Sequence, residues 1–257
     1  MAHATTEASA PPQPAPGILP LEAGDRLTRI EFERRYRAMP ALKKAELVEG
    51  VVYMPSPVSA KHSGPHADFV GWLMVYRSAT PWLLAGDNAT VRFDEDNEPQ
   101  PDALLAIDSQ CGGQSRIDED GYFAGPPELI AEVASSSVSY DLHDKLHVYR
   151  RHGVREYLVW RVRDGEIDWF RLDEGKYAPQ PRDASGVYKS STFPGLWLDG
   201  AALVRGDLAR VLAVLQEGTA SAEHGRFVAQ LDERRRLMNN PGQPGPGQVG
   251  RPGDLQT

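Results

Sequence analysis

Apolar residues recur along this chain in two rhythms, and the change of rhythm marks where one kind of element gives way to another. Between Ser59 and Ala79, Phe69, Trp72, Leu73 and Tyr76 fall at spacings of three and four, which predicts a helix with one buried face. Gly64-Pro65 predicts where the regular helix begins, because proline has no backbone N–H to donate. Upstream, Thr28 and Glu31 have capping-box spacing, and Ile30, Phe32 and Tyr36 give a short helix its apolar side. AELVEGVVYMP reads as two β-rich runs divided by Gly50, either a tight hairpin or a bent strand.

WLLAG, ATVRFD, QPDALLAI and PELIAEVA then read as strands, with a turn-rich loop, SQCGGQSRIDEDGYFAGPP, between the last two. SSSVSYDLHDKLHVYRRHGV predicts a loop followed by a helix. Leu142, Leu146 and Tyr149 form the apolar stripe of that helix, with Lys145 at the edge. REYLVW, EIDWFRL and KYAPQ, divided by Asp164-Gly165 and Glu174-Gly175, have the pattern of a meander. After FPGLWLDGAAL the chain turns helical, with Leu208, Val211, Leu212 and Leu215 in one stripe. Strands and helices in this mixed order predict an α/β core of two or three layers with antiparallel additions.

Composition sets the limits of that core. Residues 1–24 are rich in Ala and Pro, and residues 239–257 are a Pro/Gly/Gln stretch. Neither can bury enough surface to offset chain entropy. The expected organisation is therefore a tail over 1–24, a domain over 25–204, a helical extension over 205–238 and a second tail over 239–257. The extension either forms a homodimer or packs on the core. The single cysteine, Cys111, excludes an internal disulfide framework and a cysteine-built zinc site. No apolar run approaches the ~18–20 residues that span a bilayer. The start lacks a basic region followed by an apolar one, so no membrane association and a cytoplasmic location are expected. The net charge of −8 argues against broad, non-specific nucleic-acid binding. Yet HDKLHVYRRHGVR gathers Lys145, Arg150, Arg151 and Arg155 with His143, His147 and His152, which is either a solvated helix face or a basic patch.

Three charged residues stand inside apolar segments. Asp102 opens an apolar run after a proline, Glu132 sits beside Ile130 and Val133, and Lys145 borders a helical stripe. A carboxylate in a low-dielectric interior is costly without a cation or strong donors. Strand alternation points Asp102 the same way as Leu104 and Ala106, and Glu132 the same way as Ile130 and Ala134. If the two strands are neighbours, both carboxylates reach one hard cation. Taken singly, the residues have ordinary explanations: Pro-Asp often opens a strand, and a lysine at a stripe edge can snorkel to water.

The order ELVEGVVYM, His62, QPDALLAI, PELIAEVASSS, DLHDKLHVYRRHGVREYLVW and FPGLWLDGAAL, from Thr28 to Leu203, resembles the Uma-two family of restriction endonucleases within the PD-(D/E)XK nuclease superfamily. The resemblance implies a restriction-endonuclease-like α/β fold: a mixed central sheet flanked by helices, with additional antiparallel strands. It implies a metal-dependent endonuclease acting on DNA, with Mg²⁺ or Mn²⁺ held by Asp102 and Glu132 and with Lys145 stabilising the attacking water or the transition-state charge. In the commonest superfamily pattern the lysine lies two residues after the glutamate, where this chain has Ala134; Lys145 matches the family's position on the next helix instead. Glu46 matches a further carboxylate at the metal, and His62 and Gln100 match substrate-orienting or structural positions. Arg150, Arg151 and Arg155 are placed to contact flanking phosphates. The competing readings are a non-cleaving nucleic-acid-binding or accessory protein, a cysteine hydrolase using Cys111, and a histidine-ligated metal site at His143, His147 and His152.

Overall fold

The computed structural model describes residues 17–54, 60–135 and 137–239. Its first elements are helix α1 (Arg29–Arg37), strands β1 (Glu46–Val48) and β2 (Val51–Tyr53), and helix α2 (Ala60–Ala79). Strands β3 (Leu83–Asp87), β4 (Val91–Arg92), β5 (Ala103–Ile107), β6 (Arg116–Ile117), β7 (Phe123–Ala124) and β8 (Leu129–Ala134) come next. The following helical segment is α3 (Val138–Tyr140), a π-helical turn (Asp141–Lys145) and α4 (Leu146–His152). After it come β9 (Glu156–Arg161), β10 (Glu166–Asp173), β11 (Lys176–Pro179), β12 (Val187–Lys189) and β13 (Trp197–Asp199). The described chain closes with α5 (Gly200–Val204), α6 (Leu208–Thr219) and α7 (Ala222–Asn239).

Six strands form the central sheet in the order β11-β10-β9-β8-β5-β3. All neighbours are antiparallel except β8 and β9, which run parallel. A parallel pair needs a crossover, and α3, the π turn and α4 supply it. The fold is thus a mixed α/β sheet flanked by helices, with small antiparallel pairs added at β1-β2 and β12-β13. The expected loop after β5 contributes β6 and β7, which join β4 in a three-stranded sheet.

Strands β5 and β8 are buried along their whole length, so each side of the sheet carries its own core. On one side Leu105, Ala131, Val133 and Leu158 pack with Trp72 and Tyr76 of α2 and with Leu215 and Leu231 of the last two helices. Trp72 Nε1 donates to Trp197 O at 3.0 Å and Tyr76 OH to Pro194 O at 2.9 Å, which satisfies both buried polar tips. On the other side Leu104, Ala106, Ile130, Ala134 and Val159 pack under Val148 and Tyr149 of α4. Helix α6 approaches β13 closely because residue 218 has no side chain: a Cβ there would stand 2.2 Å from Gly195 O. Within the stretch expected to be an N-terminal tail, Leu21 is buried with Phe32, Leu47 and Val52, and Gly24 N donates to Val52 O at 2.8 Å.

Four local expectations need correction. Thr28 makes no side-chain cap; Glu31 instead pairs with Arg34 and Arg35, so the capping box does not form. Ile30 is 68 % exposed, leaving Phe32 and Tyr36 as the packed side of α1. Helix α2 starts at Ala60, and Pro65 lies inside it, forgoing one backbone donor rather than marking the start. The AELVEGVVYMP segment is the tight hairpin, with Glu49 at φ 53° and Gly50 at φ 70°, the pair of positive angles that matches strand twist. The fourth correction concerns the stripe of the crossover helix, and it bears on the site.

Candidate active site

The register of β5 on β8 pairs Ala103 with Ala131 and Leu104 with Ile130, so one step further sets Asp102 opposite Glu132. The contacts agree with that geometry. Asp102 N approaches Glu132 Oε2 at 3.4 Å, and Val133 N donates to Asp102 Oδ2 at 2.8 Å. The crossover then carries Lys145 back over this face. Its Nζ lies 2.9 Å from Glu132 Oε1, 3.0 Å from Glu46 Oε1 and 3.8 Å from Asp141 Oδ1. Tyr149 OH donates to the same Glu132 oxygen at 2.9 Å. Glu46, the first residue of β1, also accepts Gln100 N at 2.7 Å.

Lys145 does not snorkel. The buried residues of the crossover helix are Asp141, Lys145, Val148 and Tyr149, while Leu142 and Leu146 are only half-buried. The π turn widens the spiral over Asp141–Lys145 and rotates the helix after it, so an ordinary helical period misplaces the stripe. Glu132 of β8 and Glu46 of β1 compensate the burial of Lys145, and Lys145 and Ser137 compensate that of Asp141, where leucines were expected.

At the mouth of the cluster, Lys44 Nζ stands 3.3 Å from Asp102 Oδ1 and 2.9 Å from Asn88 Oδ1. His66 Nε2 lies 2.9 Å from Asp102 O and 3.1 Å from Asp87 Oδ1. Tyr140 stacks on Tyr53 at 4.1 Å and places its ring 5.1 Å from the Lys145 ammonium. Tyr53 OH in turn donates to Asp144 Oδ2 at 3.3 Å.

The cluster is crowded with carboxylates. Glu46, Asp102, Glu132 and Asp141 are all buried, and among the described residues the ammonium groups of Lys145 and Lys44 face them. Burial pushes Glu132 up to about 8 despite the pull of Lys145, and the charges of Asp102, Asp141 and Glu46 push the same way. Asp141 is raised by burial as well. Burial alone would favour neutral Lys145, but Glu132, Glu46 and Asp141 outweigh it and hold its pKa well above the usual lysine range. Hard oxygen donors carrying negative charge are the chemistry that a divalent cation such as Mg²⁺ completes.

The other predicted residues have separate fates. Gln100 joins the site through its backbone N–H rather than its side chain. The side chain of His62 lies outside the described residues. Arg150 donates to Gly175 O at 2.9 Å, Arg151 pairs with Glu49 at 2.9 Å and Arg155 donates to Gln114 Oε1 at 2.7 Å, so none of these three contacts belongs to the cluster. Cys111 is buried, and burial raises its thiol pKa, the opposite of an activated nucleophile. His143 and His147 are exposed, while His152 is engaged with Val148 O and Asp94. Sequence reasoning missed Asp141, Lys44 and the hydroxyl of Tyr149. The i, i+4, i+8 spacing of Asp141, Lys145 and Tyr149 was the available signal.

A family model described as "Uma2: Putative restriction endonuclease" matches residues 30–201. The chain belongs to that family. The match to Uma2 contains every residue of the cluster and ends inside α5, so α6 and α7 lie beyond it. Among solved structures, the chain is similar to one described as a putative nuclease belonging to DUF820 from Anabaena variabilis. That similarity has a TM-score of 0.46 and 16 % identity, and covers 62 % of this chain and 90 % of that one. No curated protein matches.

Proposed function

We propose that this member of the Uma2 family is a metal-dependent endonuclease that hydrolyses phosphodiester bonds of DNA, with Asp102 and Glu132 holding Mg²⁺ or Mn²⁺ and Glu46 beside them. The observation that carries this reading is the meeting of Asp102 and Glu132 across β5 and β8 under the Lys145 ammonium. Mg²⁺ takes only one or two carboxylates from a protein and shares the rest of its shell with water and substrate phosphate. Among the described residues no group of three or more His, Cys, Asp or Glu is arranged as a metal cage. Asp102 and Glu132 would supply two carboxylate donors, with water and substrate phosphate completing the shell. A bound ion would supply charge on the phosphate oxygens and a lower pKa for an attacking water.

The chain's own groups divide the remaining work. Three carboxylates hold the Lys145 ammonium charged in the metal-free protein, and the role we assign to it is electrostatic: it would offset negative charge that builds as a fifth oxygen approaches phosphorus. Tyr149 fixes the Glu132 carboxylate through Oε1, leaving Oε2 beside the Asp102 backbone. A second reading, a non-cleaving nucleic-acid-binding protein that keeps this fold, has one observation in its favour. Lys145 and Lys44 already sit on carboxylate oxygens that an ion would use. Nicking of supercoiled plasmid separates the two. The parent is expected to nick in Mg²⁺ or Mn²⁺ and to stop in EDTA, while Asp102→Ala folds but does not nick. A variant that cut as well as the parent would overturn the assignment.

A further inference from the structure

Two lysines serve the cluster, and they are held differently. Lys145 has a side chain only 4 % exposed and lies within 4 Å of three carboxylates. Lys44 has a side chain 22 % exposed, and its described ion pair is with one carboxylate, Asp102, at 3.3 Å. Its second contact is Asn88 Oδ1 at 2.9 Å. Asn88 occupies the left-handed region at φ 51°, a conformation asparagine tolerates better than most residues. Asn88 Nδ2 donates to Asp87 Oδ1 at 2.8 Å and its N to Asp102 O at 3.3 Å, so its carbonyl oxygen is held toward the lysine. Asn88 and Asp102 thus form a cradle for one ammonium at the rim of the site.

We propose that Lys44 is an exchangeable cation: it pairs with Asp102 in the metal-free protein and moves to a phosphate of the nucleic acid once a divalent ion takes Asp102. This rests on the metal-dependent reading above. An ammonium and a divalent ion repel each other when they share one carboxylate oxygen, so binding of the ion displaces the lysine. Lysine is a compact charge on a flexible four-carbon stem, and the partial exposure of Lys44 gives that stem room to swing outward. The same carboxylate that holds the ion would then have brought a phosphate-binding cation to its side. Lys145, tied to three carboxylates on the inner side, has no such freedom.

The test uses the full-length protein and two readouts besides cleavage. Mn²⁺ alone is titrated calorimetrically into the parent, Lys44→Met and Lys44→Arg. Losing a partly exposed competing cation is expected to tighten Mn²⁺ binding in Lys44→Met by roughly two- to five-fold, with Lys44→Arg close to the parent. Affinity for a short DNA duplex is then measured across salt concentrations, once with Ca²⁺ and once with EDTA. With Ca²⁺ the slope of log affinity against log salt is expected to be shallower in Lys44→Met by about 0.9, the contribution of one phosphate contact, and in EDTA the slopes coincide. Equal or weaker Mn²⁺ binding by Lys44→Met would overturn the exchange, as would a slope difference that persists in EDTA. A parent that binds Mn²⁺ while Lys44→Met fails these expectations sinks the exchange alone. A parent that binds no Mn²⁺ sinks the metal-dependent reading with it.

Discussion

Glu132 and Glu156 stand on adjacent strands, both out of reach of water, and they solve the cost of burial in opposite ways. Glu156 is fully buried and met by neutral donors. Its Oε1 accepts Ser191 N at 2.7 Å, Ser191 Oγ at 2.8 Å and Thr192 N at 2.8 Å, while Oε2 accepts Ser190 Oγ at 2.8 Å and Trp169 Nε1 at 3.2 Å. It fastens the turn before Pro194 to the sheet. Glu132 has one oxygen held by an ammonium and a phenol, and its neighbours include three further carboxylates. Burial is common to both, so burial does not mark the functional acid. A satisfied carboxylate is a structural fastening, whereas one crowded by its own kind leaves a charge for a ligand to complete.

The contrast breaks first on stability. Glu156→Ala strands several buried donors, and a loss of about 3–5 kcal/mol is expected from urea unfolding. A loss below about 1 kcal/mol would show that the fastening reading of Glu156 is wrong. Lys145→Met tests the other side, because it leaves Glu132, Glu46 and Asp141 without their shared cation. Its cost in EDTA should be about 3 kcal/mol, and added Mn²⁺ should recover part of it. No such recovery is expected for Glu156→Ala, so identical behaviour of the two variants would erase the distinction.

A third buried carboxylate sharpens the comparison through pH. Burial and the hydrogen-bonded carboxyl of Glu33 push Glu98 up to about 8, against the pull of Arg92 and Arg29. With a folded-state pKa above the ordinary 4.5, the folded protein keeps a proton that the unfolded chain has released. The stabilisation is therefore complete below about pH 4.5 and fades as pH rises through 8. Relative to Glu98→Gln, the parent should lose roughly 2–5 kcal/mol across that window, since each tenfold change in proton affinity is worth about 1.4 kcal/mol. Parallel pH–stability curves would rule out a retained proton on Glu98.

How far the sequence made the site legible depends on which interactions are local. Alternation along QPDALLAI and PELIAEVA was enough to put Asp102 and Glu132 on the faces they occupy, because a strand's period is fixed by its backbone. Their adjacency depends on β5 pairing with β8, which no local pattern states. Lys145 needed both the parallel β8-β9 crossover and the π turn, and the latter defeats ordinary helical periodicity by burying Asp141 and Lys145 in place of Leu142 and Leu146. Lys44 was invisible for a different reason. Its partners Asp102 and Asn88 are distant in sequence, and a lysine before a strand resembles any solvated one. Glu156 lies beside Arg155 in REYLVW and resembles a surface charge until the Ser190–Thr192 turn is folded over it.

Whether the crowded carboxylates hold a divalent ion, and the satisfied one does not, is decided by calorimetric titration of Mn²⁺ into the parent, Asp102→Asn and Glu156→Gln. One equivalent of Mn²⁺ is expected to bind to the parent and to folded Glu156→Gln. Binding by Asp102→Asn should be weakened at least tenfold, with no more than about 1 kcal/mol change in its unfolding free energy. Equal Mn²⁺ affinity in the parent and Asp102→Asn would mean that Asp102 is not a ligand and that the cluster is no metal site.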